Sequence, residues 1–192
     1  MIEPSAIVLI NGKRKCGKDY LASRITDRLG AAVCDILHLS TEIKREYAKL
    51  NNLDFELLLT DSPYKEVYRK EMIALGEFCR AADPGHYCRL ATKRASKQCW
   101  LVVDNRRETD IEYFKSCYPG KCLVVRVSAS EEVRKGRGWV WKSGVDDVTS
   151  ECGLDNYRPD ITVCNDGVPD DGFSDGLNFV INWVEKRLKE KC

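Results

Sequence analysis

The chain has 192 residues, and its 31 lysines and arginines against 30 aspartates and glutamates give a formal net charge of +1. This length predicts one domain with an inserted flap, and a composition of 43% hydrophobic and 32% charged residues is typical of a folded protein rather than a disordered one. A near-neutral chain has no general attraction for nucleic acid or for a lipid surface. We therefore expect neither as a partner, and any anion must be bound by local clusters of charge.

The ten cysteines do not indicate a secreted, disulfide-linked protein. The early apolar run Ala6 to Ile10 is shorter than a signal h-region of about 7 to 15 residues, so we expect a cytosolic chain with free thiols. The final Lys-Glu-Lys-Cys does not match the peroxisomal S-K-L signal. Because no Cys-x-x-Cys pair occurs and the histidines are His38 and His86, we expect buried or surface thiols rather than a structural zinc site.

Short apolar runs alternate with helical patterns, which predicts a parallel sheet wrapped by helices. The five predicted strands are Ala6 to Ile10, Val33 to Leu39, Trp100 to Val103, Leu123 to Val127 and Ile161 to Cys164. The predicted helices between them are Asp19 to Leu29, Ser40 to Leu50, about Ser62 to Ala81, His86 to Lys97 and Asp110 to Tyr118. A last helix has an apolar stripe formed by Leu177, Val180, Ile181, Val184 and Leu188.

Residues 12 to 19, Gly-Lys-Arg-Lys-Cys-Gly-Lys-Asp, follow the first strand and begin the first helix, which is the context that a phosphate-binding loop requires. Gly12 and Gly17 permit a close approach of backbone N–H groups to phosphate oxygens, and Lys18 is placed to reach the β and γ oxygens of a nucleotide. Half of the loop is cationic, namely Lys13, Arg14, Lys15 and Lys18. The alternative is a basic surface turn.

Asp19 stands where such loops usually carry the Ser or Thr hydroxyl that ligates Mg²⁺. A carboxylate is also a hard oxygen ligand, so we expect Asp19 to hold the ion directly or through water. The alternative is that Asp19 only stabilises the start of the helix.

The third strand leads into Asp104, Asn105, Arg106 and Arg107, at the carboxyl edge where open α/β sheets bind ligands. Paired arginines at this edge favour an acceptor that itself carries a phosphate, because the guanidinium group binds phosphate oxygens bidentately. The GTPase motifs D-x-x-G and N-K-x-D are missing from suitable positions. The alternative is that these residues are surface charges after a strand.

A second basic cluster lies on the helix predicted for residues 62 to 81. At about 100° per residue, Lys65, Arg69, Gly76 and Arg80 share one face. Arg69 and Arg80 are separated by roughly 16 Å along such a helix, so we expect them to bind different ends of a ligand. A solvated helix face explains this segment equally well.

The third cluster comprises Arg126 on the fourth strand with Arg134 and Arg137 on a predicted lid. In phosphoryl transfer, residues of this kind close over the γ-phosphate and stabilise its charge while water is excluded. Trp139 and Trp141 lie just beyond and either anchor the closed lid or take part in ordinary packing.

With these three clusters, the chain resembles the animal-type phosphomevalonate kinases almost from end to end. The segments that carry the resemblance are the loop at 12–19, Tyr-Lys-Glu at 64–66, Ala-Asp-Pro-Gly at 82–85, Arg-Gly-Trp-Val at 137–140, Gly-Val-Asp-Asp at 144–147 and Glu-Cys-Gly-Leu-Asp-Asn at 151–156. The resemblance implies a single P-loop kinase domain over 1–192, with a three-layer α/β/α fold and an Arg-rich lid at about 131–150. It places the acceptor-binding helices at about 40–97.

The family's reaction converts ATP and (R)-5-phosphomevalonate to ADP and 5-diphosphomevalonate, a step towards isoprenoids and sterols. The resemblance implies that ATP with Mg²⁺ is bound by the loop residues Gly12 to Asp19, including Cys16, together with Arg137 and Asn165. It implies acceptor positions at Arg80, Arg106 and Arg107, and cations around the transferring phosphate at Arg126, Arg134 and Arg137. Asp166 departs from the His of vertebrate relatives, and Cys16 replaces a Ser.

Two other functions remain open at this point. A nucleoside monophosphate kinase shares the fold and the donor site, but its acceptor pocket must recognise a base. A nucleotide-dependent regulatory or RNA-binding protein is disfavoured by the net charge of +1. We expect a monomer whose partners are ATP and phosphomevalonate.

Overall fold

The structure, a computed structural model, describes residues 2–60, 62–167 and 172–190. Its sheet consists of the strands β1 (Ala6–Asn11), β2 (Cys34–Leu37), β3 (Cys99–Val102), β4 (Cys122–Ser128) and β5 (Ile161–Cys164). The strand order is β2-β3-β1-β4-β5, and every pairing is parallel. The five predicted strands and the parallel sheet are confirmed. β2 ends before the predicted Leu39, because that residue begins the following helix.

The helices of the described residues connect and cover these strands. They are α1 (Lys18–Leu29), α2 (Leu39–Asn51), α3 (Phe55–Leu59), α4 (Pro63–Ala82), α5 (His86–Thr92), α6 (Glu108–Cys117), α7 (Glu131–Gly136), α8 (Thr149–Cys152) and α9 (Phe173–Lys189). None of the helices in this part of the chain has both the length and the apolar character needed to span a bilayer.

The predicted helix from His86 to Lys97 is wrong in its second half, because α5 ends at Thr92. The backbone N–H groups of Ser96 and Lys97 instead donate to Oδ2 of Asp35, at 2.6 and 2.8 Å. These bonds turn the chain towards the start of β3. The helices α3 and α8 were not predicted.

The sheet separates two apolar cores, which confirms the three-layer α/β/α arrangement. On one face, the alternate residues Val8 and Ile10 of β1 pack with Ile25 of α1 and Val180 of α9. On the other face, Ile7 and Leu9 pack with residues of α2, α5 and α6. Because successive side chains of a strand point to opposite faces, a strand buried on both sides needs the continuous apolar sequence that β1 has.

A third, smaller core joins the helices α2, α3 and α4. Tyr47 and Ala48 of α2 pack with Leu58 of α3 and Met72 of α4. Gly76 allows α4 to approach α2, because a Cβ there would lie 3.3 Å from Cδ1 of Ile43. The helices α2, α3 and α4 therefore form one packed unit, whereas α5 packs into the core on the sheet itself. Residues 191 and 192, the end of the sequence compared with the peroxisomal signal, lie outside the described residues.

Candidate active site

The loop between β1 and α1 has the geometry of a phosphate cradle. Gly12 and Gly17 have φ angles of 142° and 98°, which disfavour residues with a Cβ. A Cβ on Gly12 would lie 2.3 Å from the carbonyl oxygen of Val127, and one on Gly17 would lie 2.0 Å from Nδ2 of Asn165. Glycine is therefore required at both positions, and the loop ends at the positively polarised N-terminus of a 12-residue helix.

Lys18 is buried at the start of α1, and its ammonium group is turned into the loop. Nζ donates to the carbonyl oxygens of Gly12 at 2.7 Å and Lys13 at 3.0 Å. Burial lowers the pKa of Lys18, and the charge of Arg106 lowers it further. Because the ammonium group has lost hydration and has a cationic neighbour, an anion bound in the loop would stabilise its charged form.

The arginines of the predicted lid, Arg134 and Arg137, contact the same loop. Nε of Arg134 donates to the carbonyl oxygen of Arg14 at 2.8 Å. Arg137 donates from Nη1 to the carbonyl oxygen of Cys16 at 3.1 Å and from Nη2 to that of Asn165 at 2.8 Å. Asn165 in turn donates to Cys16 at 2.9 Å. Three residues predicted to lie on the donor side are thus brought to the loop by two separate segments, α7 with its C-cap residue Arg137 and the end of β5.

Asp146 fastens the lid to the loop. Its Oδ2 pairs with Nη1 of Arg14 at 2.8 Å, and its Oδ1 accepts from Nε1 of Trp139 at 3.0 Å. Burial acts to raise the pKa of Asp146, but hydrogen bonds from Trp139 and the Lys142 backbone, with the charge of Arg14, lower it overall. The guanidinium group of Arg134 lies 4.1 Å from the Trp139 ring centroid. Trp139 is therefore buried in the lid contact.

A cavity of about 160 Å³ opens beside the loop, between the carboxyl ends of β3 and β4 and the segment 151–155. Glu151 lies at its wall with 4% of its side chain exposed. Its Oε1 accepts from the backbone N–H of Arg14, and its Oε2 pairs with Nη1 of Arg106. One buried carboxylate thus connects the phosphate loop to an arginine at the end of β3.

Arg126 lines this cavity, but its hydrogen-bond donors are used by the protein itself. Nε donates to Oδ1 of Asn11 at 3.2 Å, and Nη2 donates to the carbonyl oxygens of Tyr157 at 3.0 Å and Leu154. In this conformation Arg126 supports the 154–157 loop at the edge of the cavity. Its predicted contact with the transferring phosphate stays a prediction.

Asp110 contacts all three arginines that the sequence predicts to bind the acceptor, Arg80, Arg106 and Arg107. This fully buried carboxylate accepts from the backbone N–H groups of Arg106 at 3.0 Å and Arg107 at 3.1 Å through Oδ2. Its Oδ1 lies 3.5 Å from Nε of Arg80. The side chain of Arg107 pairs with Glu77 of α4. Asp110 therefore contacts the side chain of Arg80 and the backbone of Arg106 and Arg107, while the guanidinium group of Arg106 pairs with Glu151 and that of Arg107 with Glu77.

Asp104 has a positioning contact at the start of α2. Its two carboxylate oxygens accept from the backbone N–H groups of Leu39 at 2.6 Å and Ser40 at 2.9 Å. Burial would raise the pKa of Asp104, yet the charge of His38 and the hydrogen bonds from Ser40 lower it overall. The acidic group therefore stabilises the helix N-terminus, and its predicted contact with the acceptor stays a prediction.

The first two turns of α4 face the lid and α2. Glu66 accepts from Nε of Arg69 at 3.1 Å and from Nζ of Lys142 at 3.1 Å. Hydrogen bonds from Arg69, and then from Lys142, lower the pKa of Glu66 to about 2. Burial, followed by the nearby charge of Lys65, lowers the pKa of Lys44 on α2. The charges of Lys65 on α4 and Lys44 on α2 therefore act on each other.

Asp19 lies in the first turn of α1 with 80% of its side chain exposed. Its Oδ1 is 3.8 Å from Nε2 of His38. An exposed carboxylate one residue after Lys18 is free to ligate an ion from the solvent side of the loop. A hard oxygen donor at this position fits Mg²⁺.

The relatives of this chain now bear on its identity. The sequence model of the family described as phosphomevalonate kinase matches residues 10–120. A phosphomevalonate kinase from Drosophila melanogaster is 45% identical, and the match covers 83% of this chain and 88% of that protein. The chain belongs to the phosphomevalonate kinase family. It is accordingly a kinase, that is, a phosphotransferase.

Solved structures support the fold of this phosphomevalonate kinase family member. A gluconokinase from Sinorhizobium meliloti has a TM-score of 0.55 at 10% identity, with all of both chains covered. An APS kinase from Mycobacterium tuberculosis, in complex with AMPPNP and APS, has a TM-score of 0.51 at 13% identity and covers 96% of this chain and 99% of that one. At such low identity these likenesses show the P-loop kinase fold alone.

Sequence reasoning missed the carboxylates that organise this kinase site. Asp146 and Glu151 lie within segments that carried the family resemblance, and Asp110 follows the strand-end arginines. The sequence gives Lys44 no motif of its own. Each of these residues has a charged neighbour far along the chain or on another helix, and the local pattern does not reveal that neighbour.

Proposed function

We propose that the chain transfers the γ-phosphoryl group of ATP to the phosphate of (R)-5-phosphomevalonate, giving ADP and 5-diphosphomevalonate on the route to isoprenoids and sterols. The observation that carries this proposal is the joining of two anion-binding halves by one buried carboxylate. Glu151 contacts the donor loop through Arg14 and the acceptor side through Arg106. Two polyanions held at such adjacent sites are the requirement of a phosphate-to-phosphate transfer.

The donor half binds the nucleotide phosphates through the backbone of residues 12–17. Lys18 then reaches the β and γ oxygens, and the lid residues Arg134 and Arg137 close over the γ-phosphate. Asn165 holds the lid arginine against the loop through Cys16. This assignment is supported by the contacts of both lid arginines with loop carbonyl groups.

The acceptor half binds the phosphate and carboxylate of phosphomevalonate through cationic side chains. Arg80, Arg106 and Arg107 lie around Asp110 and would bind one end of the acceptor. Lys65 and Arg69 lie near the start of α4 and would bind the other end of the acceptor. The roughly 16 Å between the two groups along the helix supports this division.

The chemistry needs no general base on the protein. The second pKa of a phosphate monoester is about 6, so the acceptor phosphate is already largely a dianion at pH 7. The protein must instead align two anions that repel each other. Lys18, Arg134 and Arg137 would stabilise charge on the transferring group, while the closed lid excludes water.

Mg²⁺ would be held by Asp19, directly or through water. When bound, the ion neutralises charge on the β and γ phosphates. Asp19 would position it on the exposed side of the loop, opposite the buried ammonium group of Lys18. Nε2 of His38 lies 3.8 Å from Oδ1 of this carboxylate.

We further propose a monomeric enzyme that works in a reducing compartment such as the cytosol. The nine cysteines within the described residues carry free thiols, several of them buried in the two cores. Free thiols are typical of proteins in reducing compartments.

The test measures the formation of 5-diphosphomevalonate from ATP and phosphomevalonate. The product is detected by chromatography, and ADP is detected by a coupled assay. We expect Lys18→Met to lower kcat by about 100-fold or more, because it removes the charge aimed at the transferring group. Lys93→Met is the matched control, since Lys93 is exposed at the end of α5. Retention of full activity by the Lys18 variant would overturn the assignment of the donor loop.

A further inference from the structure

Three metal-ligating side chains meet where α2, α4 and α5 pack together. Glu46 lies on α2, Cys79 on α4, and His86 is the first residue of α5. A carboxylate oxygen, a sulfur and a ring nitrogen, one from each residue, all lie within 4.8 Å of one another. We propose that this cluster, named here the α2–α4–α5 cluster, binds one divalent transition-metal ion of the Zn²⁺ type.

The histidine has a coordination atom available. Nε2 of His86 is buried and makes no hydrogen bond with any residue in the described part of the chain. Oε2 of Glu46 lies 3.4 Å away, too far and too poorly aligned for a strong bond. A buried imidazole nitrogen that lacks a partner is costly, and coordination to a cation held by Glu46 and Cys79 would satisfy it.

The turn between α4 and α5 brings two of the ligands together. The backbone N–H of Asp83 donates to the carbonyl oxygen of Cys79 at 2.9 Å, and the N–H of His86 donates to that of Asp83 at 3.0 Å. Pro84 and Gly85 complete this turn. The backbone of this turn therefore fixes the positions of Cys79 and His86 relative to each other. Glu46 completes the cluster from the neighbouring helix.

The donor set selects the class of ion. Thiolate, imidazole and carboxylate together are ligands of Zn²⁺ and related ions, whereas Mg²⁺ is bound by oxygen ligands alone. Three protein ligands leave one tetrahedral position for water or another small ligand. The side chains of Glu46 and His86 are each 31% exposed, so the cluster lies close to the protein surface although Nε2 of His86 itself is buried.

An outer contact orients the carboxylate. The hydroxyl group of Tyr87 donates to Oε2 of Glu46 at 2.9 Å. Outer partners of this kind fix ligand geometry in metal sites. Tyr87 is buried, and the guanidinium group of Arg80 lies 5.1 Å from its ring centroid. Tyr87 therefore contacts both the cluster and Arg80, one of the arginines proposed to bind the acceptor. The cluster is separate from Asp19, the residue assigned to Mg²⁺.

Sequence spacing did not predict this site. The ligands come from three helices, with 32 residues between Glu46 and Cys79 and six between Cys79 and His86. A search for paired cysteines or histidines therefore passes over them.

The experiment titrates Co²⁺ into metal-free protein without nucleotide and records the near-ultraviolet charge-transfer absorption of a cobalt–thiolate bond. We expect one equivalent to bind with this absorption and Zn²⁺ to displace it. Cys79→Ser should lose the absorption, and His86→Ala should weaken binding by more than about 100-fold, the upper effect of losing an outer partner. Cys117→Ser is the matched control, because Cys117 is exposed on α6.

Equal absorption and affinity in wild type and Cys79→Ser would overturn the proposal, as would absence of binding by the wild type. The kinase rate of each variant without Co²⁺ or Zn²⁺ reports whether it has folded. If Cys79→Ser fails to fold, the site is tested in the wild-type protein instead. The rate of alkylation of each cysteine is then measured by peptide mass spectrometry with and without Zn²⁺. Zn²⁺ should slow alkylation of Cys79 and leave that of Cys117 unchanged, and equal rates at Cys79 with and without Zn²⁺ would contradict the site.

Discussion

Replacing Arg80 by methionine tests the acceptor side most informatively, because its effect on substrate binding and its effect on stability can be estimated and measured separately. The Arg80 side chain is 11% exposed and pairs with the fully buried Asp110. Methionine retains most of the apolar stem and removes the charge. If Arg80 binds the acceptor, the substitution removes one charge-assisted contact, worth about 1.5 to 3 kcal/mol. The KM for phosphomevalonate should therefore rise by roughly 10-fold to over 100-fold.

The same substitution leaves Asp110 without its arginine partner. Breaking a buried ion pair by removing one member costs about 3 to 5 kcal/mol. We expect the lower end, because Oδ2 of Asp110 keeps its bonds from the backbone N–H groups of Arg106 and Arg107. A domain with a free energy of unfolding of about 5 to 15 kcal/mol should survive this loss.

The assay is steady-state ADP release with ATP and phosphomevalonate varied in turn, together with urea unfolding of each variant. Arg94→Met is the matched control, since Arg94 pairs with the buried Glu42 at 2.8 Å, a contact that joins α2 to the residues just after α5. It should lower stability without changing either KM. If Arg80→Met raised the KM for ATP and left that for phosphomevalonate unchanged, the acceptor site would have to be placed elsewhere.

Three further substitutions test the metal, the lid and the buried carboxylate. Asp19→Asn should lower kcat and raise the Mg²⁺ concentration needed for half-maximal rate, and an unchanged Mg²⁺ titration would remove its metal role. Arg137→Met should lower kcat by about 100-fold with a small change in the KM for phosphomevalonate, whereas a change in that KM alone would place Arg137 outside the transfer step. Glu151→Gln should lower the free energy of unfolding in urea by about 3 kcal/mol, because Arg106 loses its buried partner, and an unchanged unfolding curve would refute that connection.

The sequence predicts the sheet well because its strands are buried on both faces. β1 has a continuous apolar run, and its immediate passage into Gly12 and Lys18 defines the loop without tertiary information. The strand-end arginines could also be predicted, because parallel strands end at the edge where ligands bind. These features depend on local sequence and on general rules of topology.

The contacts that join the two halves of the site could not be predicted. Arg106 and Glu151 are 45 positions apart, and Arg14 and Glu151 are 137 positions apart. Their meeting depends on how the chain returns from β4 through the lid. Helices α3 and α8 have five and four residues, so they are too short to show a helical period. Ion pairs between residues this far apart in the sequence can be identified only from the folded structure.

The most direct test of the account compares kcat/KM for phosphomevalonate with kcat/KM for AMP, UMP, CMP and mevalonate in one ADP-release assay. The proposed acceptor site of Arg80, Arg106 and Arg107 would recognise a phosphate on a small acidic molecule through its cationic groups. The account predicts turnover of phosphomevalonate and a kcat/KM lower by at least about 10⁴-fold for each of the others, the discrimination expected when buried polar groups are left unpaired. Comparable turnover of any nucleoside monophosphate would contradict it.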